Sequence, residues 1–213
     1  ARLGGDAGWR APLRLPALGH APALILFIAF AGFLLADPAP ADPRRLATFA
    51  LAYLAINTLG CAFFGPRWLL RVEVFTALMR IYRQTALFSG RRFGLWGWRC
   101  VRGTLPRTAL ALFILALLGA GSFDGLNETF WWLQKIGVNP LEFPGRSAVI
   151  NETIAGLLIA IAALVAVYGL FIWIGAKWAG GGFGVSFCLF APSLLPIAIA
   201  YHVAHYLTSF LVD

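Results

Sequence analysis

Long apolar runs separated by short polar breaks make up most of this chain. Residues 23–35, 46–64, 108–121, 153–176 and 185–212 are apolar almost without interruption. None shows the strict alternation of a half-buried strand or the polar stripe of a soluble helix. The clearest run lies between Asn151 and Trp178, where the phenol of Tyr168 is the only ionisable group from Thr153 to Ala176. A helix needs roughly 20 apolar residues to cross a hydrocarbon layer about 30 Å thick, and this run supplies them. Asn151-Glu152 predicts a cap at one end, and Trp173, Lys177 and Trp178 an interface belt at the other.

The pattern predicts an all-α, polytopic transmembrane helical bundle of about five spans, at 22–36, 46–64, 105–123, 152–176 and 185–212, forming a single integral membrane domain. The first run is short and spans only with an added turn toward Leu15 or local thinning; a re-entrant segment is the alternative. Pro192 and Pro196 should kink the last helix, and Asn57 inside the second predicts a hydrogen bond to a neighbouring helix. Between the runs, residues 37–43 hold three prolines that no helix crosses. In the loop 122–150, Asp124 is expected to cap a short helix that Gly137 closes, and Glu142 to pair with Arg146.

Composition narrows the class. With 60% hydrophobic and 12% charged residues over 213 positions, the chain is too apolar for one soluble core. A β-barrel would show short alternating segments instead. The net charge of +8 sits largely in residues 65–107, where Arg67, Arg71, Arg80, Arg83, Arg91 and Arg92 alternate with Trp68, Leu69, Leu70, Phe75 and Ile81. This reads as a basic helix in the headgroup layer of the cytoplasmic face, binding anionic lipid at about 1 kcal/mol per basic residue. The positive-inside rule then accounts for the charge without nucleic acid as a partner. It places residues 65–107 inside, with 37–45, 122–150 and the C-terminal end of the last helix outside. Cys61, Cys100 and Cys188 lack metal-site spacing and are expected as free thiols. The first residue is not Met and no signal peptide is visible, so a fragment or processed form is expected.

This topology gathers Asp124, Glu128, Glu142, His202 and His205 at one membrane face. His202 and His205, at i and i+3, project from one side of a helix and can share a transition metal with loop carboxylates, an arrangement suited to activating water. Alternatively, one imidazole can ligate a haem or pigment, or both can simply hydrogen-bond within the bundle. No phosphate loop, nucleophile elbow or H-E-x-x-H pair occurs.

Residues 122–130, Ser-Phe-Asp-Gly-Leu-Asn-Glu-Thr-Phe, with 139–147, Asn-Pro-Leu-Glu-Phe-Pro-Gly-Arg-Ser, and the tail Tyr-His-Val-Ala-His-Tyr at 201–206, resemble a family of bacterial polytopic membrane proteins named fenitrothion hydrolase. The resemblance is strongest over residues 122–206; the first half agrees mainly in character. It implies longer relatives with further apolar sequence on both sides, and hydrolysis of an organophosphate P–O bond. It transfers no catalytic motif. Two functions are therefore expected: an accessory or structural subunit packing against other transmembrane subunits, lipid or pigment, or a metal-assisted organophosphate hydrolase with its site at the outer face.

Overall fold

The computed structural model describes residues 13, 18–89, 92–95, 98, 108–142 and 144–212; for 89, 92, 205, 206, 208–210 and 212 it describes the backbone alone. The chain is an all-α bundle and a multi-pass membrane protein. Four helical stretches are long and apolar enough to cross a membrane: Pro43–Phe64, Thr108–Asn127, Ile150–Ala179 and Phe183–Ala204. The expected first span is a shorter apolar helix, α1 (Ala21–Ala36).

Helix α1 ends against the proline turn, and α2 (Pro43–Phe64) restarts on Asp42, whose side chain accepts from the Arg45 amide. Gly65 closes α2 at φ +69°, a left-handed conformation that costs glycine nothing. The chain then reverses into α3 (Arg67–Arg71) and α4 (Val74–Tyr82). A short hairpin pairs β1 (Phe88–Ser89) with β2 (Arg92–Phe93), and the Trp98 indole donates to the Ala86 carbonyl at 3.1 Å.

The core is α5 (Thr108–Asn127), whose Phe113, Ile114, Leu115 and Leu117 are fully buried among α1, α7 (Ile150–Ala179) and α9 (Leu195–Val212). Between α5 and α7 lies the short α6 (Phe130–Lys135). Small residues let α5 and α7 approach: Gly119 sits against Ile161, and Gly156 makes room for the Phe123 and Trp132 rings. Gly180 ends α7 in the left-handed region and α8 (Phe183–Phe190) folds back on it, tied by the Tyr168 hydroxyl donating to the Phe187 carbonyl at 2.7 Å. The expected kink is a tightening of the helix. Pro192 falls in a 3₁₀ turn, Ala191–Leu194, that separates α8 from α9.

Three local expectations are corrected. Helix α5 runs through Asp124 to Asn127, because nothing at residues 122–124 breaks it; the cap of the short helix is Thr129, whose hydroxyl accepts from the Trp132 amide. Asn151 and Glu152 lie inside the first turn of α7, whose N-cap is Val149, so they are no cap. Arg146 pairs with Glu128, at 3.7 Å, and not with Glu142.

The arginine-rich helices pack on the bundle. Val72, Val74, Ala77 and Ile81 are buried, and α4 packs on α1 and α5. Glu73 caps α4 by accepting from the Phe75 amide at 2.9 Å and from the Thr76 amide, and it also accepts from the Tyr53 hydroxyl. Tyr53 stands 64 − 53 = 11 residues from the end of α2, about 16 Å at 1.5 Å per residue, or roughly half a hydrocarbon layer. Phe75 meets both Tyr53 and Phe30, with centroids 5.8 and 6.3 Å apart. The tip of the α3–α4 hairpin thus lies midway along α2. Its feet carry the charge: Arg67 follows the end of α2, and Arg80 Nη1 lies 3.2 Å from Nε2 of His20 at the start of α1.

Candidate functional site

A cavity of about 430 Å³ runs from the hairpin to the opposite end of the bundle. Its apolar wall comes from α1, through Phe27, Phe30, Ala31 and Leu34, and its floor from Leu78 and Tyr82 of α4. One face of α5 forms the back, because Leu117, Gly121, Asp124 and Glu128 recur at helical spacing. Tyr201 and His202 enter from α9, and Arg146 from the loop before α7. The result is an apolar slot with a polar mouth.

Local sequence explains the approach of α9. Gly121 and Gly125, four apart on α5, receive the Tyr201 ring: a methyl group on Gly121 would lie 3.1 Å from Tyr201 Cδ1, and one on Gly125 would collide with the Tyr201 hydroxyl. His202 Nδ1 lies 2.8 Å from the Ala198 carbonyl oxygen, which can only accept, so Nδ1 carries the proton. In the neutral ring Nε2 then bears the lone pair, the form needed for a general base or a metal ligand. Arg146 is placed by two contacts, Nη2 with Glu128 and Nη1 donating to the Leu34 carbonyl at 3.4 Å. It ties the loop to the end of α1. A second cavity of about 300 Å³ adjoins through Leu35, Glu128 and Arg146 and is lined by Trp132, whose buried indole N–H meets no acceptor among the described residues.

Of the residues singled out for a metal, the fold brings Asp124, Glu128 and His202 to this one cavity. Glu142 is exposed in a 3₁₀ turn (Pro140–Glu142) and lines none of it, and the His205 side chain lies outside the described residues. Among the described residues no group of three His, Cys, Asp or Glu side chains is arranged to hold a metal ion. The described residues thus give no metal centre, and no step is routed through one. Arg146, expected only as an ion-pair partner of Glu142, and Tyr201 join the lining; the Gly121–Gly125 spacing was the available signal for Tyr201.

Of the arginines expected to meet lipid, Arg67, Arg80 and Arg83 are exposed at the feet of the hairpin, and Arg71 is half-buried beside its tip. Arg91 and the Arg92 side chain fall outside the described residues. Cys61 and Cys188 are free thiols, half-buried; Cys100 is outside the described residues. Comparison of the chain with protein-family models, characterised proteins and solved structures returns no match.

Proposed function

We propose that this chain is a bacterial inner-membrane protein that takes an apolar small molecule into the cavity and hydrolyses it at the Asp124 end. That is the organophosphate-type activity the resemblance over residues 122–206 implies. The supporting observation is the convergence of Asp124, Glu128, Arg146, Tyr201 and His202 at the mouth of an otherwise apolar slot. His202 Nε2 takes a proton from water as the water oxygen bonds to phosphorus and the P–O bond to the leaving group breaks. Arg146 and the Tyr201 hydroxyl donate to the non-bridging atom on phosphorus, oxygen in a phosphate and sulfur in a phosphorothioate such as fenitrothion, as charge builds there. The proton then passes to the departing oxygen. The arginine-bearing hairpin feet face the cytoplasm and anionic lipid, and the polar mouth faces outward.

The test is release of nitrophenol from fenitrothion by the full chain in liposomes. His202→Ala is expected to lower kcat by about 10²-fold or more, the range of a lost general base. Absence of turnover by correctly folded wild-type protein removes the hydrolase reading. Metal assistance is tested separately: purified protein without bound transition metal excludes it.

One observation favours a second reading, an accessory subunit packing in a larger membrane complex. Only 11% of the apolar window of α2, and the same share of that of α7, is buried. Leu51, Leu54 and Leu59 of α2, with Ile159, Leu170 and Phe171 of α7, form broad uncovered faces. Lipid or other transmembrane helices then cover them. In this reading His202→Ala leaves function intact and the chain co-purifies with its neighbours.

A further inference from the structure

We infer that the smaller cavity, beside α6, binds an apolar small molecule carrying one hydrogen-bond-accepting oxygen, and that the Trp132 indole N–H recognises that oxygen. The inference concerns a different space from the slot and does not depend on hydrolysis. The cavity measures about 300 Å³, and Leu35, Leu133, Ile136 and Val149 wall it together with Trp132. Aliphatic cavities of about 150 Å³ already take up benzene, so this one has room for a substituted ring.

Packing fixes the direction of the indole. Its outer edge, Cζ2 and Cη2, takes the place that a side chain on Gly156 would need, and the Phe123 ring meets it edge-on with centroids 5.1 Å apart. Helix α6 is held at both ends, by the Thr129 cap and by the Val138 amide donating to the Leu133 carbonyl at 2.9 Å. The ring therefore cannot swing its N–H out to water. That N–H is buried and meets no acceptor among the described residues. Asn127 and Glu128 line the same cavity, yet neither oxygen reaches it, and Glu128 is turned to Arg146 at 3.7 Å. A buried donor left unmet is costly, and native structures keep few of them. Ordered water is the ordinary partner for such a group, but each water needs two to four polar contacts. One water would fill little of the chamber, and several would lie against aliphatic walls that offer them none. A single donor in a largely apolar chamber matches a ligand with one acceptor on an apolar body.

The test uses a matched pair of probes, acetophenone and α-methylstyrene, in which a methylene group replaces the carbonyl oxygen. Equilibrium binding is measured to the full chain in nanodiscs of zwitterionic lipid. Uptake by protein-free discs is subtracted, and each affinity is referred to probe dissolved in the lipid. Acetophenone should bind saturably and at least roughly tenfold tighter than α-methylstyrene. Trp132→Phe keeps a ring but removes the N–H, and should bring the ratio to near one. Ile136→Phe keeps the N–H but narrows the chamber, and should weaken both probes. Size-exclusion profiles and melting curves like those of the wild type show that each variant is folded; should Trp132→Phe not fold, the wild-type ratio and Ile136→Phe decide. Acetophenone that fails to saturate would mean that water alone meets the indole, which overturns the inference. Equal affinities in the wild type, a ratio indifferent to Trp132→Phe, or binding untouched by Ile136→Phe overturns it as well. None of these outcomes bears on turnover in the slot.

Discussion

Gly60 shows how much of this bundle depends on single positions. It is buried on α2, and the Trp68 ring of α3 lies where its side chain would be. Trp68 is held there by its indole N–H, which donates to Asn57 Oδ1 at 3.1 Å, while Asn57 Nδ2 donates to the Tyr53 carbonyl at 2.9 Å. Gly60→Ala must therefore push the indole off its acceptor, and overpacking of this kind costs about 1–3 kcal/mol. A lowered melting midpoint in detergent is expected, largely restored when Trp68→Ala removes the collision; a midpoint unchanged by Gly60→Ala would show that the ring does not sit there. The hydrogen bond of Asn57 was legible in the sequence, since a buried amide in an apolar run must find a partner. Its partner was not, because Trp68 lies beyond the reversal at Gly65-Pro66 and only the fold returns it alongside α2. The expected Glu142–Arg146 ion pair failed for the same reason: spacing brought the two near in sequence, while the end of α5 brought Glu128 nearer in space.

The α3–α4 hairpin is the element whose packing partners the pattern left open, and the reason is physical. Counting arginines over residues 65–107 draws the whole stretch to the surface, yet Val74, Ala77 and Ile81 form an apolar stripe on α4 that has to be buried. Both demands are met because Val74, Ala77 and Ile81 turn into the core while Arg67, Arg80 and Arg83 stay exposed. Glu73, which looked like the lone counter-charge of a basic segment, instead closes the first turn of α4 and reaches across to Tyr53. In apolar surroundings a carboxylate deprived of a donor costs more than the hydrogen bond itself contributes. Tyr53→Phe is thus expected to destabilise the protein by about 1–3 kcal/mol. In a Glu73→Gln background, where no charge is left under-solvated, the same change should cost clearly less. A double-mutant cycle on melting midpoints reads this coupling, and additive effects would mean that the two groups do not share one hydrogen bond. Since Leu78 and Tyr82 floor the cavity, Tyr53→Phe should also lower fenitrothion turnover, although it lies outside the slot.

At the scale of the molecule, alternating helix directions decide which groups can meet. The five apolar runs and their ends were readable to within a few residues, because a hydrocarbon layer imposes length and apolarity on each helix independently of tertiary packing. The ends then sort themselves: Arg146 bonds to Leu34 at the close of α1, Tyr201 packs on Gly121 and Gly125 near the close of α5, and His20 meets Arg80 at the other end. That arithmetic foresaw Asp124, Glu128 and His202 at one face, but not the slot between them, which needs α4 to close its floor. The arrangement predicts three labelling behaviours in a background whose native cysteines are replaced by alanine. Arg67→Cys, at a hairpin foot, and Glu142→Cys, in an exposed turn, should react with a membrane-impermeant maleimide from opposite sides of sealed vesicles. Phe75→Cys, beside Tyr53 and Phe30 near the hairpin tip, should resist that reagent from both sides and yield only to a permeant one. A surface-lying helix would instead expose position 75 from the same side as position 67. Labelling of 67 and 142 from one side would be more damaging, because an odd number of crossings between them underlies both the polar mouth and the basic feet.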